Sequence, residues 1–139
     1  MEVLASRLLL HPRDHAVSRA FYEDVLGLGV FREFGTDEHP GIVFFVGSGL
    51  LELSGHGTET PSPATRLLLQ VRDLDAEFAR LQAAGVPVLE RPERKPWGLL
   101  EATLTDPDGL QIVLVQIPED HPQRLSTGMP LTGERAAGD

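Results

Sequence analysis

The stretch RLLLHPRD at residues 7–14 returns as RLLLQVRD at residues 66–73, with six of the eight positions identical. An offset of 59 residues within a chain of 139 indicates that one structural unit is present twice. In both copies a short apolar run of strand length ends in Arg-Asp. Asp14 and Asp73 are suited to accept the free N–H groups of a first helical turn. The sequence therefore predicts a strand followed by a helix in each copy.

Each copy continues with apolar residues at helical spacing, then a glycine suited to cap a helix, then three short strands. The helical positions are Val17, Phe21 and Val25 in the first copy and Leu74, Phe78 and Leu81 in the second, and the capping glycines are Gly27 and Gly85. The predicted strands are GVFREF, GIVFFVG and LLELS in the first copy and VPVLER, LLEATLT and LQIVLVQI in the second. This order predicts an α+β protein made of two βαβββ modules.

The predicted organisation is a single domain over residues 1–117 followed by a C-terminal extension. Module one covers residues 5–54, a linker rich in Gly, Pro, Ser and Thr covers 55–65, and module two covers 66–117. A unit of about 60 residues buries little surface by itself, which favours pairing of the two modules. Residues 118–139 carry no comparable pattern, and we expect no separate core there.

The composition restricts the classes of partner. No apolar run approaches the roughly 20 residues that span a bilayer, and the N-terminal residues lack the pattern of a signal peptide. The chain has no cysteine, which favours the cytoplasm. Its formal charge of −9 opposes binding to a phosphate backbone. We expect neither a nucleic-acid nor a membrane partner.

The chain resembles the vicinal oxygen chelate superfamily, which includes glyoxalases, bleomycin resistance proteins and extradiol dioxygenases. The resemblance covers about residues 5–117 and rests on RAFYEDVLGLGV, LLQVRDLDAEFARLQAAGVPV and PWGLLEATLTDPDGLQIVLV. It implies two cupped, four-stranded mixed sheets that face each other around a cavity, often completed by a homodimer. It says less about function, since this group contains lyases, epimerases, dioxygenases and non-catalytic binding proteins.

Enzymes of the superfamily usually hold a divalent metal with four inward side chains, and the resemblance places these positions on Arg7, Glu52, Arg66 and Val113. Only Glu52 has a suitable donor, because guanidinium groups stay protonated and valine has no lone pair. We therefore expect no metal or other cofactor.

Strand alternation supports this placement from the sequence itself. If Leu8 and Leu10 face the helix, the inward residues of the first strand are Arg7, Leu9 and His11. The same reasoning makes Arg66, Leu68 and Gln70 inward in the second module.

The polar candidates each have more than one interpretation. The two arginines bind a carboxylate or phosphate on a ligand, form structural ion pairs such as Arg7 with Glu52, or point outward at a strand end. Glu52 is a candidate general base or a hydrogen-bonding group. Together with His11 it is also a candidate for a displaced, partial metal site.

Trp97, the only tryptophan, precedes a strand. It either stacks on a planar ligand at the cavity mouth or closes the end of the cup.

Our first functional hypothesis is a homodimeric protein that binds a small organic molecule without a catalytic metal, as drug-sequestering members of the superfamily do. The apolar contacts would come from Leu9, Leu68, Trp97 and Val113, and the polar contacts from Arg7, His11, Glu52, Arg66 and Gln70. The alternative is an enzyme, a metal-dependent lyase or dioxygenase with a rearranged metal site. The sequence leaves open whether the protein turns over a substrate.

Overall fold

A computed structural model describes residues 1–122, so residues 123–139 of the predicted extension lie outside the described part of the chain. Both modules have the predicted order of strand, helix and three strands. Module one contains β1 (Arg7–Leu10), α1 (His15–Ala20), a π-helical segment (Phe21–Val25), β2 (Val30–Gly35), β3 (Pro40–Val46) and β4 (Gly49–Leu53). Module two contains β5 (Arg66–Gln70), α2 (Leu74–Ala83), β6 (Val88–Arg94), β7 (Leu100–Thr105) and β8 (Gln111–Gln116).

The helices begin where the repeated Arg-Asp predicts. The Asp14 carboxylate accepts the N–H of Val17, and the Asp73 carboxylate accepts the N–H of Ala76, each at 3.1 Å. The first helix differs from the prediction of one regular helix, because it widens into the π-helical segment in which Leu26 N–H bonds to Phe21 carbonyl. A single wide turn of this kind leaves no signature in apolar spacing.

The two sheets repeat one topology. Their strand orders are β1-β4-β3-β2 and β5-β8-β7-β6, and in each the first and last strands of the module are parallel neighbours. Leu9 lies opposite Glu52 in module one, and Leu68 lies opposite Val113 in module two. Glu52 and Val113 therefore occupy equivalent positions in the repeat.

Each sheet has one face covered by its helix and one face that we call its open face. Leu8 and Leu10 pack against the core, whereas Leu9 between them is 54% exposed. In β5 the flanking leucines also pack against the core, and Leu68 is 60% exposed. The predicted alternation is confirmed in both strands, and the predicted inward residues lie on the open faces.

The two helix-covered faces share a single core, because one buried cluster contains residues of both modules. Its fully buried members include Tyr22, Ile42, Phe44, Leu51 and Leu53 of module one and Leu74, Ala102, Leu104, Ile112 and Leu114 of module two.

Polar contacts also join the modules beside this core. The Tyr22 hydroxyl donates to the Asp106 carboxylate at 2.7 Å, and burial raises the pKa of both groups. The Arg80 guanidinium donates to the Val25 carbonyl at 2.6 Å.

This packing leaves the open faces on the sides of the two sheets opposite the shared core. The strands form two separate sheets, and no strand of one pairs with a strand of the other. The resemblance implied two sheets facing each other around a cavity. In the described part of the chain the two sheets meet through residues of their helix-covered faces, and Leu9 and Leu68 on the open faces stay more than half exposed.

Within residues 1–122 the structure contains no helix long and apolar enough to cross a membrane.

Candidate functional site

The open face of module one carries a connected polar group next to Leu9. The Arg7 guanidinium donates to Glu52 Oε1 at 2.8 Å, and the Ser54 hydroxyl donates to Glu52 Oε2 at 2.7 Å. His11 Nδ1 lies 2.6 Å from the Ser54 carbonyl oxygen. Both carboxylate oxygens of Glu52 are therefore already engaged within the chain, and the ion-pair interpretation of Arg7 is observed.

These contacts set the charge of Glu52. The Ser54 hydroxyl, and after it the Arg7 guanidinium, stabilise the carboxylate and lower the pKa of Glu52 below its usual value. A carboxylate with a lowered pKa is a weak base near neutral pH. The geometry favours Glu52 as a fixed anion that orients Arg7, although its predicted catalytic role stays untested.

An aromatic surface lies beside this polar group, and the sequence analysis missed it. Phe31 and Phe45 form an edge-to-face pair with ring centroids 5.2 Å apart. Phe34 lies against Gly41, where a Cβ would collide with its ring, and the Arg32 guanidinium lies 5.4 Å from the Phe34 centroid. All three rings are exposed.

A β-bulge interrupts the simple alternation of faces along β2. The register between β2 and β3 shifts between Val30 and Arg32, so Phe31 reaches the same face as Phe45. The same shift occurs in β6 between Val88 and Glu90. The sequence signal for these residues was the aromatic content of GVFREF and GIVFFVG, but a bulge cannot be located from periodicity alone.

The open face of module two is arranged differently. Arg66, Leu68 and Gln70 are exposed in β5. Val113 is 4% exposed, because it belongs to a second buried cluster on this face. The other members of that cluster are Leu99, Val115 and Ile117. Val113 therefore lies in a buried apolar cluster next to the exposed side chain of Leu68.

Trp97 lies at the far edge of this face and is 58% exposed. Its indole N–H donates to the Glu101 carboxylate, and His121 Nε2 lies 2.9 Å from its carbonyl oxygen. An indole that is mostly exposed does not close the end of a cup within one chain. Its ring is available to contact a ligand or a second chain.

The four positions that hold metal in enzymes of the superfamily do not form a metal site here. Arg7 and Glu52 lie on one open face, and Arg66 and Val113 lie on the other. Two guanidinium groups and a valine supply no ligand for a cation. Among residues 1–122 no group of three or more His, Cys, Asp or Glu side chains is close enough to hold a metal ion. The residues present do not fit the metal that the family implies.

The structure thus divides the predicted site residues into two groups. Arg7, Leu9, His11 and Glu52 meet on module one, and the others lie on module two: Arg66, Leu68, Gln70, Trp97 and Val113. Gln70 and Leu68 line a cavity of about 280 Å³ with the β3–β4 turn, Val46 to Ser48. That cavity touches the edge of only one open face, so it does not unite the two groups.

Comparison with known proteins identifies the family to which this fold corresponds. The family model described as Glyoxalase/Bleomycin resistance protein/Dioxygenase superfamily matches residues 6–114. A bleomycin resistance protein from Klebsiella pneumoniae is 34% identical over an alignment of 117 residues, and the match covers 77% of this chain and 87% of that protein.

Solved structures agree with this match. TnmS3, an antibiotic binding protein from Streptomyces sp. CB03234, superimposes with a TM-score of 0.70 at 27% identity, covering 84% of this chain and 98% of that one. A lactoylglutathione lyase from Agrobacterium tumefaciens shares the fold with a TM-score of 0.62 at 21% identity, covering 84% of this chain and 94% of that one. The chain therefore belongs to the glyoxalase/bleomycin resistance protein/dioxygenase superfamily.

Proposed function

We propose that this protein binds a small organic molecule, without a catalytic metal, in a cavity that two copies of the chain form together. The observation that carries the proposal is the pair of open faces. Each presents large apolar side chains to solvent, among them Leu9 and Phe45 on module one and Leu68 and Trp97 on module two. Large apolar side chains grouped on one exposed face are typical of a binding surface.

A homodimer is the simplest arrangement that covers both faces. If two identical faces met across a two-fold axis, the other face of each chain would stay exposed. If module one of each chain faces module two of its partner, one two-fold axis covers all four faces and creates two equivalent cavities. This dimer also brings the two groups of predicted site residues together.

The chemistry of these surfaces favours binding over catalysis. The aromatic and aliphatic side chains supply an apolar lining, and a few polar groups remain to orient a ligand. Glu52 is engaged by Arg7 and Ser54, and three of the four superfamily metal positions lack a donor. The bleomycin resistance protein and the antibiotic binding protein among the relatives support a sequestering role for this chain.

Fluorescence titration with N-phenyl-1-naphthylamine, a neutral apolar probe, tests the proposal, together with the solution mass and the metal content of the same preparation. We expect a dimer, saturable binding of one probe per chain, and no stoichiometric metal. Protein that is folded, monomeric and unable to bind the probe would contradict the proposal. About one transition metal per chain would favour the alternative enzyme, whose remaining ligands would be Glu52 and His11.

A further inference from the structure

We propose that Arg66 binds an anionic group of the ligand, so that the natural ligand is an acidic molecule with an apolar body. This inference rests on the proposed function, and it identifies the chemical class of the ligand. The acidic group is a carboxylate, sulfonate or phosphate, all of which match the forked donors of a guanidinium.

The first observation is that Arg66 has no partner for its charge within residues 1–122. Its guanidinium makes no hydrogen bond or ion pair with any other residue of the described part of the chain. Arg7, which occupies the equivalent position in module one, is held by Glu52 at 2.8 Å. The residue equivalent to Glu52 in module two is Val113, so the repeat has an acid beside one arginine only.

The second observation is that the acids on β6, β7 and the adjoining turn are already engaged. Lys95 pairs with Glu90 and Glu93, and Glu101 accepts the indole N–H of Trp97. Arg66 also lies at the opposite end of the sheet, since it pairs with Gln111, whereas Glu101 pairs with Val115.

The third observation concerns the surroundings of Arg66. Leu68 stands next to it on the same face, above the buried cluster that contains Val113. If a second chain covers this face, the guanidinium loses water and requires an anion, because an unpaired charge away from water is strongly unfavourable. Glu52, the acid on the open face of module one, has both oxygens engaged by Arg7 and Ser54, so Glu52 of a second copy is not free to pair with Arg66. An acidic ligand satisfies Arg66 without breaking these contacts.

Two fluorescent probes that differ in one charged group test the inference. The first is 8-anilinonaphthalene-1-sulfonate, and the second is N-phenyl-1-naphthylamine, which has the same rings without the sulfonate. We expect Arg66→Gln to weaken binding of the sulfonate probe by about tenfold or more and to change binding of the neutral probe less than about twofold. Arg66→Lys should retain part of the lost affinity, since it keeps the charge without the fork.

Arg91→Gln is the matched control, because Arg91 is an exposed arginine of β6 and its loss changes the net charge equally. Equal effects of Arg66→Gln and Arg91→Gln on the sulfonate probe would overturn the inference. A shift in dimer dissociation on Arg66→Gln, with probe affinities unchanged, would also overturn it by showing that Arg66 pairs with the second chain. If the neutral probe binds while the sulfonate probe does not depend on Arg66, only this inference fails. If neither probe binds, the proposed function fails with it.

Discussion

Module one and module two share a fold but differ in the chemistry of their open faces. Arg7 and Arg66 are equivalent, and so are Leu9 and Leu68, yet Glu52 in module one corresponds to Val113 in module two. The β-bulge occurs at the same place in both modules but presents Phe31 in one and Leu89 in the other. The helix-covered faces preserve the fold of both copies, while the open faces differ where a ligand would be bound.

The largest expected effects come from the helix-covered faces, where the modules should be alike. Leu53 and Leu114 are equivalent and almost fully buried in the shared core. Leu53→Ala and Leu114→Ala should each lower the free energy of unfolding by about 2–5 kcal/mol, because each leaves a cavity. Urea unfolding should show one cooperative transition in both variants.

The matched control is Leu68→Ala on the open face, where we expect a change within about 0.5 kcal/mol in the free energy of unfolding. Two separate unfolding transitions, or a loss confined to one module, would show that the modules fold independently and that the core is not shared.

A smaller effect concerns the pH dependence of the free energy of unfolding, which the residues of the two open faces should influence differently. The lowered pKa of Glu52 means that its ionised form contributes stability above the ordinary carboxyl pKa and loses this contribution as the pH falls through the lowered value. At pH 7 we expect Glu52→Gln to lower the free energy of unfolding by about 1 kcal/mol, and the difference from the unaltered protein should shrink below about pH 4.

Arg66→Gln provides the comparison, because Arg66 has no acid partner in the described residues. Its free energy of unfolding should run parallel to that of the unaltered protein over the same pH range in urea titrations. If the free energy of unfolding of Glu52→Gln were lower than that of the unaltered protein by the same amount at every pH, the charge of the Arg7–Glu52 pair would make no contribution to stability.

The sequence predicted the fold well because the repeat reports local structure. The two RLLL runs identified both first strands, their alternation identified the exposed leucines, and the two aspartates identified the helix starts. These features depend on neighbours within a few residues. Apolar periodicity and capping chemistry record such neighbours directly.

The site was predicted less completely because its geometry depends on distant parts of the chain. The sequence identified Arg7, Glu52 and Arg66, and it correctly named Arg7 with Glu52 as one possible ion pair. It did not predict the bulge that brings Phe31 beside Phe45, since one extra residue changes the face of every residue after it. Apolar periodicity also does not specify how the two modules pack together, so the single core shared by their helix-covered faces became visible only in the structure.

Mixing of two binding-deficient variants tests most directly whether two chains share each site. Phe45→Asn alters the open face of module one, and Leu68→Asn alters that of module two. Both residues are largely exposed in the single chain, so both variants should fold, and the solution mass of each variant checks that it still dimerises. Each variant alone should lose binding of N-phenyl-1-naphthylamine. After subunit exchange, every mixed dimer contains one cavity built from two unaltered faces, and about one quarter of all sites should bind the probe again. Failure of the mixed dimers, confirmed by mass, to recover any binding would contradict a cavity shared between module one of one chain and module two of its partner.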